Sequence, residues 1–159
     1  MAGNTERGRL LLEESIALGS QLGTAFLLAW AKAFLAMCHL ALGAHEAVLP
    51  LCHEAINLAK GAGEKYPNAL AHRTLAEASF ALAPAERGDA ERAILEAIAI
   101  QEEISNKPEL ARSYVSYAHL LQGWGEAEKA RQYLTQAIAM FQQMGMVWDQ
   151  AQAEQVLQR

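Results

Sequence analysis

A triplet centred on isoleucine occurs four times at a nearly constant step. Ser15-Ile16-Ala17 returns as Ala55-Ile56-Asn57, Ala97-Ile98-Ala99 and Ala137-Ile138-Ala139, at steps of 40, 42 and 40 residues. A recurrence of this length makes each unit one supersecondary element that buries its apolar face on its neighbours, so a stack is expected rather than a globule around one centre. Eight residues after the first residue of each triplet come Gly23, Gly63, Ser105 and Gly145. There a helix stop with positive φ, or a break in the helix, is expected. An inner turn is read at Gly43-Ala44, Gly88-Asp89 and Gly125-Glu126, with a small residue seven positions earlier: Ala36, Ala81 and Ala118. Each unit is therefore two helices joined by a glycine turn.

The residue palette agrees with helices. Of 159 residues, 52% are hydrophobic, mostly Ala, Leu and Ile, while aromatics reach only 7% and prolines number 4. Such a chain has enough apolar material to fold and favours helix over strand. The expected fold is all-α, a solenoid of antiparallel helix pairs with about eight helices at 5–22, 24–42, 45–61, 67–82, 89–105, 108–122, 126–144 and 147–158. Pro67 and Pro108 suit first helical turns. Pro84 should end the helix before it at Ala83, whereas Pro50 falls inside a helical pattern and must kink that helix or delay its start.

The net charge of −5 arises from 13 Lys and Arg against 18 Asp and Glu. No stretch gathers the basic residues into a stripe that could follow phosphates, so nucleic acid is not an expected partner. There is no signal peptide and no apolar run of transmembrane length. With two cysteines, Cys38 and Cys52, outside any CxxC spacing, a reducing cytoplasm is the expected location and no membrane contact is expected.

Segment 111–144 resembles a tetratricopeptide repeat. Tyr114, Tyr117, Ala118 and Leu121 stand at the family's large and small positions of the first helix. Gly125-Glu126 matches the turn, and Ala130, Leu134 and Ala137 match the second helix. Ala36, Gly43, Cys52 and Ala55 fit a second copy. Ala81, Gly88, Asp89, Ala93 and Ala97 fit a third, which carries Ile100 where alanine is usual. Units of about 40 residues are similar to those of bacterial signal-transduction ATPases, related transcription activators and the C-terminal parts of nucleotide-cyclase proteins. The resemblance implies a right-handed superhelix over residues 1–159: a lone second helix (5–22), helix-pair repeats at 24–61, 67–105 and 108–144, and a capping helix at 147–158. The helix that opens the chain lacks a first partner, so a fragment of a longer protein is expected. HEAT and armadillo repeats have similar lengths, and the glycine turn flanked by small residues speaks against them. Alanines at 36, 118, 130 and 137 would permit close helix approach, with Trp30, Phe34, Tyr114, Leu134 and Phe141 filling the spaces between layers.

The resemblance also implies where binding occurs. First helices line the inner face, which places there Trp30, Ala33, Met37 and Leu40, then Leu75, Ala78 and Leu82, then Arg112, Val115 and His119. Relatives that grip a peptide carboxylate use Lys and Asn at positions held here by Ala33, Ala78, Val115, Met37 and Leu82, so that mode is not expected. An apolar groove with Met and Trp suits a protein or peptide partner, as an amphipathic helix or apolar segment. The partner could equally be the rest of a parent chain or a second copy. Two function classes follow: a protein-binding regulatory module and a structural self-association module.

Chemistry-bearing clusters are sparse. Cys38, His39, His45, Cys52 and His53 share one hairpin, but adjacent helical residues point about 100° apart, which works against four converging zinc ligands. Core packing is the plainer reading, and no disulfide, metal or cofactor is expected. No phosphate loop, HExxH or GxSxG is present, so the chain reads as a non-enzyme.

Overall fold

The computed structural model describes residues 2–158. These form eight α-helices and no strand: α1 (Ala2–Leu22), α2 (Ala25–Ala41), α3 (His45–Ala62), α4 (Lys65–Leu82), α5 (Arg87–Glu103), α6 (Lys107–Gly123), α7 (Ala127–Met144) and α8 (Val147–Leu157). Connections of two to four residues make successive helices antiparallel neighbours, and every consecutive pair packs together. The architecture is the expected all-α stack of helix pairs.

The two kinds of helix are not equivalent in the stack. The first helices of the pairs, α2, α4, α6 and α8, also pack on one another, whereas among the described residues the second helices, α1, α3, α5 and α7, do not. The layer whose helices lie closer together is the inner side of a curved stack, so the first helices line its concave face.

Backbone chemistry at the unit ends repeats closely. Gly23, Gly63 and Gly145 lie at φ of 66°, 71° and 68°, and Ser105 occupies the same left-handed conformation at 54°, alone among the described non-glycine residues. At each end the next amide donates five residues back, from Glu64 to the Ala59 carbonyl at 2.8 Å, Asn106 to Gln101 at 3.0 Å and Met146 to Phe141 at 2.9 Å. This bond closes the orphan carbonyls of the last turn. Gly43 and Gly125 make the same closure inside their units, with Ala44 donating to His39 and Glu126 to Leu121, both at 2.9 Å.

The middle unit departs from this pattern and from the sequence expectation. Gly88 is not a turn residue: α5 begins at Arg87, so Gly88 sits in its first turn. The position 40 residues after Gly43 is Ala83, a non-helical residue (φ −140°, ψ 73°) placed before Pro84. Proline stops α4 at Leu82 by excluding its neighbour from the helical region, and no glycine is needed. The small residue that matches Ala36 and Ala118 is consequently Ala76, fully buried like them, while Ala81 is exposed. The register of the whole middle unit moves by five residues.

Corrected in this way, the alanine pattern explains the close packing. Ala29, Ala69, Ala111 and Ala153 occupy one position of the four first helices at 0% exposure, as do Ala36, Ala76 and Ala118 at another. With no side chain beyond Cβ, these positions permit helix axes to approach toward the short end of the usual range. In the second helices Ala55, Ala97, Ala130 and Ala137 are fully buried beside Leu134 and Phe141. Phe34, expected between layers, is 36% exposed at the α1 end of the stack. Pro50 leaves the start of α3 at His45, so it removes one helical hydrogen bond within the helix and does not delay the helix.

One latch ties neighbouring units. The Trp124 indole donates to the Pro84 carbonyl at 3.0 Å, its ring meets Phe80 edge-on at 5.8 Å, and the Arg87 guanidinium lies 4.8 Å over it. The last turn of α6 thereby holds the α4–α5 connection.

Candidate functional groove

With the register in place, three consecutive first helices present Ala33, Arg73 and Val115 at one position, and Met37, Glu77 and His119 at the next. The concave face opens into a groove of about 660 Å³. Leu40 lines it from α2, and Arg73, Glu77 and Phe80 line it from α4. Arg112, Val115, Ser116 and His119 come from α6, and Trp148, Asp149 and Gln152 from α8. Leu120, Phe141 and Ala153 form buried parts of its floor.

A chain of opposite charges crosses this floor. Arg73 Nη1 lies 2.7 Å from Glu109 Oε2, with each side chain only 9% exposed. Arg112 pairs with the other oxygen of Glu109 and donates from Nε to Asp149 Oδ1 at 2.8 Å. The sequence Arg73, Glu109, Arg112, Asp149 therefore links α4, α6 and α8, and every member meets an opposite charge, as burial requires. Hydrogen bonding to Asp149 first, and then to Glu109, raises the Arg112 pKa above its ordinary value. Next to this chain, Ser116 donates to Glu77 Oε1 at 2.5 Å.

Of the residues expected on the inner face, Leu40, Arg112, Val115 and His119 line the groove. The middle set does not. Leu75 borders a separate hollow of about 500 Å³ with Leu49, His53 and Ile56 of α3 and Asp89, Arg92 and Ala93 of α5. Ala78 is fully buried in the cluster of Ala33 and Ala36, and Leu82 is 43% exposed at the last residue of α4. Trp30 stacks on Tyr66 at 4.8 Å with the rings 13° apart, Ala33 is fully buried, and Met37 lines a hollow between α1 and α2 with Leu11, Leu12 and Phe34. The expected apolar stripe gives way to Arg73, Glu77 and Phe80, so the groove is mixed in character. The alanines at 29, 69 and 111 carried the signal that would have set this register.

The hairpin of cysteines and histidines stays dispersed. Both thiols are free, and burial pushes the Cys52 thiol up to about 12. Among the described residues no group of three His, Cys, Asp or Glu side chains could hold a metal ion, and no helix is long and apolar enough to cross a membrane.

No family model matches this chain, and no curated protein does.

Proposed function

We propose that the chain is a protein-binding module of tetratricopeptide type that grips a polypeptide segment in the groove along α2, α4, α6 and α8, and that it performs no catalysis. One observation carries this reading. The groove is open to solvent, yet it sets apolar side chains, among them Trp148 at 69% exposure, beside fixed charges. Apolar anchors with a few placed polar groups are what a segment needs for affinity and orientation. Repeats of about 40 residues then point to a regulatory or docking role in a bacterial signalling protein of the cytoplasm, without nucleic-acid or membrane contact.

The test is an amide chemical-shift titration of the labelled chain with a panel of synthetic peptides. Shifts clustered on α4, α6 and α8, and lost in Trp148→Ala, support the reading. Shifts confined to the outer helices overturn it.

A second reading is self-association. It is favoured by the exposed apolar end formed by Leu11, Leu18 and Leu22 of α1 with Phe26 and Leu27 of α2, each between 46% and 75% exposed. Contiguous apolar surface of this kind commonly marks an interface. Sedimentation at increasing concentration separates the readings, since a mass that stays at 17.3 kDa removes the second.

A further inference from the structure

We propose that the groove selects segments carrying a lysine or arginine beside an apolar side chain, with Glu77 as the acceptor of the cation; this rests on the groove being the binding surface. The argument is one of unmatched charge. Three carboxylates and two guanidinium groups gather along the groove, those of Glu77, Glu109 and Asp149 against those of Arg73 and Arg112. Glu109 holds Arg73 at 2.7 Å, and Glu109 and Asp149 together hold Arg112. Both arginines are thus neutralised within the protein.

Glu77 is left. Its Oε1 accepts the Ser116 hydroxyl at 2.5 Å, which fixes the direction of the carboxylate. Among the described residues no lysine or arginine pairs with it. It projects from the middle of α4, one turn before Phe80, and shares the groove with Leu40, Val115 and Trp148. Apolar walls lower the local dielectric and so strengthen its pull on an incoming cation. The long aliphatic stem of a lysine or arginine can lie on such walls while its head reaches the carboxylate.

An acidic segment meets the opposite situation. A carboxylate brought to Arg112 would stand beside Asp149 and Glu109, which already hold that guanidinium, and the Arg73 side chain, 9% exposed, is already paired with Glu109, so an added anion meets like charges in place at both arginines. The chain's net charge of −5 further slows its approach and speeds that of a cation.

The experiment uses the full chain at low salt and two fluorescein-labelled peptides of identical leucine and alanine content, one with a central lysine and one with a central glutamate. Anisotropy should show the lysine peptide binding about tenfold tighter, with the difference shrinking as salt rises. Glu77→Gln keeps an acceptor for Ser116, so its melting temperature should be unchanged while the lysine preference disappears. Equal binding of both peptides, with shifts on α4, α6 and α8, overturns the cation proposal and leaves the groove reading in place. Tighter binding of the glutamate peptide, or a lysine preference that survives Glu77→Gln, also overturns it. Binding of neither peptide overturns both readings.

Discussion

Glu109 and Arg73 meet across the α4–α6 boundary with 2.7 Å between charged atoms and almost no solvent on either. Removing one charge strands the other in the interior. Glu109→Ala is expected to lower unfolding free energy by about 3–5 kcal/mol, read as a shift of the urea midpoint. A paired replacement, Arg73→Met with Glu109→Leu, should recover most of that loss. A single variant as stable as the parent would show that the pair contributes nothing.

Ser105 adopts the conformation that glycine holds at the other three unit ends. An L side chain is strained there, by about 1–2 kcal/mol against glycine's own entropic cost of about 0.5–1 kcal/mol. Ser105→Gly should therefore raise stability by roughly 0.5–1 kcal/mol. Thermal melts of the two chains decide it, and a lower melting temperature for the variant would contradict the assignment of strain.

Gly123 is pressed by the Phe80 ring. A Cβ built there would stand 2.2 Å from Phe80 Cζ, and the ring is held in place by Trp124. Gly123→Ala should cost about 1–3 kcal/mol through overpacking and shift Trp124 emission. Unchanged stability would mean that the ring swings aside freely.

His72 lies between α3 and α5 with both ring nitrogens buried and without hydrogen-bond partners. Burial first, then the Lys60 ammonium, pushes its pKa down from 6.5 to about 4; His53 acts in the same direction and Glu96 against it. The fold thus prefers the neutral ring. The unfolded chain takes up a proton as pH falls below 6.5, whereas the folded chain resists until about 4. Stability is full above pH 6.5 and declines across that window. Glu91, held at about 2 by Arg87 against its ordinary 4.5, loses its contribution from about pH 4.5 downward, so the upper part of the window, between pH 6.5 and 4.5, reports on His72 without it. His72→Leu should flatten the slope between pH 6.5 and 4. A folded-state His72 resonance that titrates near its ordinary value would contradict this account.

Most of the fold was legible in the sequence because the signals were local. The isoleucine triplets and the residues eight positions on located four unit ends, and seven of the eight helices begin and end within two residues of expectation; α1 alone starts three residues early. The middle of the candidate groove was not legible, and the reason is physical. Two different devices stop a first helix, a left-handed glycine at 43 and 125 and a proline at 84, and Gly88 looks like the first while sitting in the helix that follows the second. A turn-based alignment then moved every inner-face residue of α4 by five places and substituted Leu75, Ala78 and Leu82 for Leu70, Arg73 and Glu77. Spacing between alanines is the safer ruler, since close packing forbids a larger side chain wherever two first helices touch.

The gaps between the outer helices give the stack a lopsided bending stiffness. First helices already in contact act as a hinge line that resists compression, while the outer helices have room to spread or approach before any of them collide. If the groove holds a segment as proposed, that segment would tighten or relax the curve mainly by changing distances on the far side of the stack. A substitution on α3 or α5, remote from every group that touches the segment, can then alter how well the groove closes.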